Sequence, residues 1–322
     1  MILDDRLNRG DLIVLDGATG SEIPNFGGVV DPVAWCGVSN IKSPDAVRSV
    51  HEAYIREGAD IITTNTFATC RHVLNGAGHG DRTVEINRRA AELAHEARTN
   101  AADGREIAVA GSLANMAAWI PGTIKSDPRY LPADNEAYAA NFREQAQTLA
   151  DSGVDFLILE MMTGRDVDMI LAEAAWETGL PVWVGLSASL GPDGDVVPWD
   201  PKIEHPTQSD GRDGQIESFE TSIERFAVLE PQVMGVMHST LAATAPALAI
   251  LKDHWSGPIM TYPETIGTEA GGNRSGVSCA PDHFADACSQ LVDDRVHVVG
   301  GCCGTTVAHL AALAEKLGRR PH

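Results

Sequence analysis

The chain has 322 residues, 43% hydrophobic and 21% charged, a composition that can bury a large core and that excludes disordered and fibrous architectures. Lys and Arg total 24 against 45 Asp and Glu, a formal net charge of −21 that repels phosphate backbones and anionic headgroups, so neither nucleic acid nor membrane is an expected partner. The acids are scattered as on a solvated surface, no apolar run reaches the length of a membrane span, and residues 1–10 are charged where a signal peptide would be apolar; a cytoplasmic location is expected.

Length alone suggests two domains, whereas the order of elements along the chain suggests one. Short runs rich in Val, Ile and Leu at residues 12–15, 60–64, 107–111, 156–160, 182–186, 233–237, 258–262 and 296–300 suit strands buried on both faces. Helical patterns lie between them. After the first run, Ser43 is placed as N-cap, Pro44 as the first helical residue and Val47, Val50 and Tyr54 on one face, with Gly58 as the stop. Residues 83–101, 135–150 and 243–252 have similar spacing, and Gly104 and Gly153 end the first two. Eight strands alternating with helices, no linker and no Gly-x-Gly-x-x-Gly turn predict a single (β/α)₈ TIM barrel over residues 1–322 rather than a doubly wound sheet. Long irregular segments at 114–131, 189–214 and 263–280 all follow strands, on the face where barrels carry their active sites.

Six cysteines stand at positions 36, 70, 279, 288, 302 and 303, too few and too uneven for a disulfide framework. The last strand runs into Gly300-Gly301-Cys302-Cys303-Gly304-Thr305-Thr306. Adjacent thiols at a strand end between glycines form half of a thiolate metal site; two small residues packed in a turn, or a vicinal disulfide, are the alternatives. The sixth strand places His238 at its own end, so His238, Cys302 and Cys303 make a Cys₂His zinc site with one open position. His51 lies in a helix and reads as structural.

These residues resemble the homocysteine S-methyltransferase family across nearly the whole chain. The resemblance rests on Leu15-Asp16-Gly17-Ala18-Thr19-Gly20-Ser21-Glu22, Trp35, the block from Ser43 to His51, Gly58-Ala59-Asp60, Thr64-Asn65-Thr66-Phe67, Glu160, and the Gly-Gly-Cys-Cys-Gly-Thr run with His309 downstream. It implies a barrel in which cysteines hold Zn²⁺ and the homocysteine thiol takes the open position to attack the methyl carbon of an onium donor: S-methylmethionine, S-adenosylmethionine or a betaine. The partners implied are thus a small amino-acid thiol and an onium donor, and a homo-oligomer is compatible with the chain. Ending soon after the last barrel helix, the chain looks more like the bacterial and plant S-methylmethionine type.

The resemblance also implies roles. Asp16 and Glu160 would face the substrate ammonium group, the amides of Gly17, Ala18 and Thr19 its carboxylate, and Trp35 the onium methyl, while Thr66 and Asn65 would orient substrate. Two departures stand out. Gly235-Val236-Met237-His238 aligns with the family's Gly-x-Asn-Cys, and Tyr262-Pro263-Glu264 with its Tyr-Pro-Asn. Imidazole in place of thiolate takes the site charge from −1 to 0, which favours acidification of the substrate thiol but leaves its thiolate less nucleophilic. Glu264 is expected in the pocket, selecting a cationic donor. The alternatives are a different acceptor at the same metal site, or a ligand-binding homologue without catalysis.

Overall fold

The computed structural model describes residues 2–123, 125–200, 218–268 and 274–319. Eight parallel strands occupy the eight apolar runs: β1 Ile13–Val14, β2 Ile61–Thr63, β3 Ala108–Ala114, β4 Phe156–Met162, β5 Val182–Leu186, β6 Val233–Thr240, β7 Ile259–Glu264 and β8 Val296–Val299. Their order is β1-β8-β7-β6-β5-β4-β3-β2, and a parallel bridge between Leu15 and Ile61 joins the two ends. The sheet therefore closes into a (β/α)₈ barrel.

One long helix follows each strand, with shorter ones in the loops after β1 and β2: α1 Pro44–Arg56, α2 Thr83–Ala101, α3 Asn135–Asp151, α4 Asp166–Trp176, α5 Phe219–Ala227, α6 Leu241–His254, α7 Pro281–Leu291 and α8 Val307–Lys316. In α1, Val47, Val50 and Tyr54 are fully buried as their spacing requires, and Gly58 reverses the chain at φ +111°. Ser43 precedes the helix, but its hydroxyl accepts from the Val29 amide instead of capping α1.

Alternation along the strands sorts two cores. Ile13, Leu15, Ala108, Ala110, Phe156, Ile158, Trp183, Met260 and Tyr262 fill the barrel, while Val14, Val109, Leu157, Val184 and Ile259 meet the helices. A short helix before β1, Asp4–Arg9, adds Leu7 to the inner cluster together with Leu3 and so closes the bottom of the barrel. The opposite mouth carries the irregular segments. Two of them contain hairpins that alternation did not reveal, Ala188–Leu190 with Val196–Pro198 and Ile266–Thr268 with Arg274–Ser278. The part of the 189–214 segment from residue 201 onward lies outside the described residues.

Candidate metal centre and substrate pocket

The C-terminal strand ends open into a cavity of about 430 Å³, a size suited to small molecules. His238 at the end of β6 and Cys302 and Cys303 just beyond β8 bring their ligand atoms within 4.8 Å of one another. Sγ of Cys302 lies 3.6 Å from Nδ1 of His238 and 4.0 Å from Sγ of Cys303. A tetrahedral zinc with Zn–S near ~2.3 Å and Zn–N near ~2.0 Å holds such atoms ~3.5–3.8 Å apart, so these two separations lie within a few tenths of an ångström of what the ion requires.

Local backbone geometry sets each ligand. Val233 and Met237 point into the barrel, so alternation would aim His238 outward at the helices. The register of β6 shifts between Met237 and Thr240, and His238 takes the left-handed φ of +44°. Such a bulge re-aims a side chain at a cost of about 1–3 kcal/mol, which is characteristic of functional positions. Met161 at the top of β4 does the same, at φ +59° beside another register shift. On the cysteine side, a Cβ at Gly300 would stand 2.7 Å from the Leu15 carbonyl oxygen, so glycine alone lets the end of β8 lie against β1. The Thr305 hydroxyl donates to the Cys302 carbonyl at 2.7 Å and accepts from the Ala18 amide at 3.0 Å, tying the cysteine loop to the loop after β1.

Acidic groups crowd this centre. The Cys303 thiol, burial, and the carboxylates of Glu160 and Glu264 together hold the Cys302 thiol well above its ordinary pKa. Burial pushes Glu160 up to about 7, opposed by a hydrogen bond from the Ser112 hydroxyl. Asp16 is pushed up to about 8, again chiefly by burial, against hydrogen bonds from the Thr63 amide at 2.7 Å and hydroxyl at 2.9 Å. A divalent cation is the counter-charge that such a group of buried acids accommodates.

Most of the expected pocket residues meet here. Asp16, Gly17, Ala18, Thr19, Trp35 and Glu160 all line the cavity with the three ligand residues. Glu160 is bound by Ser112, and among the described residues no arginine pairs with it. Trp35 adopts φ +46° and meets Phe67 edge to face at 6.1 Å, with Gly20 beneath it; a Cβ there would stand 2.6 Å from the indole ring. Of the three amides expected to receive a carboxylate, that of Ala18 is taken by Thr305.

Two expectations change. Thr66 is fully buried and outside the cavity lining, its hydroxyl donating to the Ser112 carbonyl at 2.7 Å, so it braces β2 against β3 instead of touching substrate. Glu264 is absent from the cavity lining and faces His238 instead: its Oε2 lies 3.7 Å from Nδ1 of His238. His309, in turn, caps its own helix through Thr306 and meets the Cys279 carbonyl at 2.8 Å, away from the ligand cluster.

Sequence reasoning passed over Arg165 and Trp199. Arg165 is the one cationic side chain among the described residues lining the cavity, and its Nε is buried without a hydrogen-bond partner. It is the residue directly ahead of α4, a position that by itself gives no functional signal. Trp199 meets the His238 ring edge to face at 5.6 Å, and its position in a long loop gave no signal.

The family model described as homocysteine S-methyltransferase matches residues 13–317. The chain is 25% identical to a selenocysteine methyltransferase of Astragalus bisulcatus, over 95% of this chain and 92% of that protein. It is 24% identical to a betaine–homocysteine S-methyltransferase 1 of Bos taurus, over 97% of this chain and 74% of that protein. In fold it is similar to the metallated form of the homocysteine methyltransferase MmuM from Escherichia coli, with a TM-score of 0.71 and 21% identity, covering 98% of this chain and all of that one.

Proposed function

The chain belongs to the homocysteine S-methyltransferase family, and on that premise we propose that it transfers a methyl group from an onium donor to the thiol of homocysteine at a zinc centre held by His238, Cys302 and Cys303. The observation that carries this reading is the convergence of those three ligand atoms within 4.8 Å, in a cavity that also buries Asp16 and Glu160. Zinc, when bound, lowers the pKa of a coordinated thiol and presents it as a thiolate nucleophile.

The chain's own residues supply the rest. Asp16 and Glu160 offer carboxylates to the α-ammonium group, and the ammonium in turn favours their ionised forms. The free amides of the loop after β1 and the guanidinium of Arg165 are the groups suited to carboxylates, and Arg165 favours a donor of amino-acid type such as S-methylmethionine. Trp35 offers an indole face to the onium methyl. Methyl transfer requires no base at carbon; it requires alignment and exclusion of water, to which the tryptophans lining the cavity, Trp35, Trp119 and Trp199, contribute apolar walls.

The test is zinc content after dialysis together with methionine formation from homocysteine across a panel of sulfonium and ammonium donors. About one zinc per chain, lost in His238→Ala, with methionine formed from at least one donor, is the expected result. Zinc without methionine would shift the reading to another acceptor, for which a selenol is the first choice given the resemblance to the Astragalus enzyme. Ligand binding with neither metal nor turnover would leave a binding protein.

A further inference from the structure

Among the described residues, Arg165 is the one partly buried arginine whose guanidinium has no hydrogen-bond acceptor, and its Nε is buried. Acids outnumber bases 45 to 24 in this chain, so that isolation is informative. The two acids that follow it are taken by other donors. Asp166 accepts from Arg225 at 2.8 Å, and Asp168 accepts from the amides of Thr163 and Arg165 at 2.9 and 3.1 Å. Asp168 therefore fixes the backbone of Arg165 and leaves its guanidinium at the cavity wall without a counter-charge.

Trp199 supplies a second, independent orphan. It lines the same cavity, and its indole Nε1 is buried with no acceptor. Its backbone amide donates to the Ser187 carbonyl at 2.8 Å, and the Ser187 amide donates to the Met162 carbonyl at 2.9 Å. Those two bonds tie the hairpin that carries Trp199 to the top of β4, three residues ahead of Arg165. Buried N–H groups that the protein leaves unpaired are costly unless a ligand brings the acceptor. A guanidinium and an indole N–H on neighbouring loops suit one anionic acceptor, and the two oxygens of a carboxylate meet that need.

The acceptor amino acid has its partners elsewhere: the ligand cluster for its thiol, Asp16 and Glu160 for its ammonium, and the loop after β1 for its carboxylate. Arg165 and Trp199 stand outside that set, and the Trp199 ring lies 5.6 Å from that of His238. A molecule held by this wall is beside the metal ligands, where a methyl donor must lie to meet the sulfur it alkylates. We propose that Arg165 and the Trp199 indole N–H bind the carboxylate of the methyl donor and restrict the chain to onium donors that carry a carboxylate of their own. This rests on the methyl-transfer reading above. The two groups read the carboxylate and not the onium, so sulfonium and ammonium donors are both admitted when they bear one. A bare cation is rejected, because its charge meets a guanidinium that nothing neutralises.

The experiment compares S-methylmethionine with its carboxamide on the full chain, by kcat/KM at saturating homocysteine and by calorimetric binding, for wild type, Arg165→Met, Arg165→Lys and Trp199→Phe. Circular dichroism checks that each variant is folded, and the Lys variant keeps the test open if Met fails. Wild type should prefer the carboxylate over the amide by at least about 10-fold. Arg165→Met should erase that preference by weakening the carboxylate donor and sparing the amide, and Arg165→Lys should keep part of it. Trp199→Phe retains a ring but no N–H, and should reduce the preference by about 3-fold. No preference in wild type, an equal loss of both donors in Arg165→Met, or a loss that falls on homocysteine instead overturns the proposal. If no donor yields methionine while binding still depends on the carboxylate and on Arg165, the methyl-transfer reading fails and the carboxylate subsite stands. Turnover indifferent to the carboxylate overturns the subsite alone, so the two failures are distinguishable.

Discussion

Asp16 and Glu160 are carboxyls that the fold keeps protonated far above the usual carboxylate range, at about 8 and about 7, because burial penalises their charged forms. An ammonium group placed between them reverses that preference. Binding an amino acid therefore releases protons at pH values between the ordinary carboxylate range and about 8, and affinity falls as the pH is lowered through that window. Methionine is the suitable probe because its sulfur has no proton to lose. Calorimetry at pH 6.5 in two buffers of different ionisation enthalpy should report net proton release, reduced in Asp16→Asn; a heat independent of buffer would remove these acids from the ammonium site. At this scale the sequence revealed what was contiguous. Cys302 and Cys303 are adjacent and flanked by glycine, so their grouping at a strand end was legible. The pairing of His238 with Glu264 depends on the register of β6 against β7, and the aim of His238 on a bulge that no local pattern announces. Arg165 was illegible for a related reason, since only the closed barrel brings the start of α4 to the cavity wall.

The elements were more legible than the site because burial on both faces demands unbroken apolar runs, and all eight runs became barrel strands. Helix α1 shows what periodicity conveys and what it omits. Its spacing identifies the buried face, and His51 falls on that face between Val50 and Tyr54. Periodicity does not say that both ring nitrogens lack hydrogen-bond partners, nor that burial pulls the imidazole pKa down to about 4 from an ordinary 6.5. In the unfolded chain His51 takes up a proton near pH 6.5, whereas the native state refuses it until about pH 4. Native stability is thus lost through this residue as pH falls between those values and unaffected above them, by up to roughly 3 kcal/mol. Asp16 and Glu160, with raised native pKa values, act in the opposite sense over the acid range, so the comparison must be between variants and not between pH values alone. Urea midpoints measured from pH 7.5 to 4.5 should fall less steeply in His51→Leu than in wild type. Parallel curves would mean that the native state does accept the proton.

For the whole molecule, a barrel mouth that holds strained residues such as Trp35, Met161 and His238 needs a firm base, and the base is tied at one carboxylate. Asp60 sits where the sheet closes: its amide donates to the Val14 carbonyl and its carbonyl accepts from the Ala108 amide, linking β1, β2 and β3. Its carboxylate accepts from the Val14 amide at 2.9 Å, from Arg6 of the N-terminal helix at 2.9 Å and from Arg319 beyond α8 at 2.9 Å. One side chain, 5% exposed, thereby fastens both ends of the described chain to the closing seam. Removing the acid leaves the buried Val14 amide and the Arg319 guanidinium without this acceptor, and leaves Arg6 its bond to the Leu12 carbonyl at 2.7 Å. The Arg319 side chain is 37% exposed and regains water, so its share is small; the Val14 amide and Arg6 do not regain it as fully. Asp60→Ala should cost roughly 2–4 kcal/mol of global stability, read as a lower urea midpoint with an unchanged slope. Because the seam lies at the end of the barrel opposite the cavity, zinc stoichiometry and homocysteine affinity of the folded fraction should stay at wild-type values. Loss of zinc at full stability would show instead that the seam and the metal centre are coupled through the barrel.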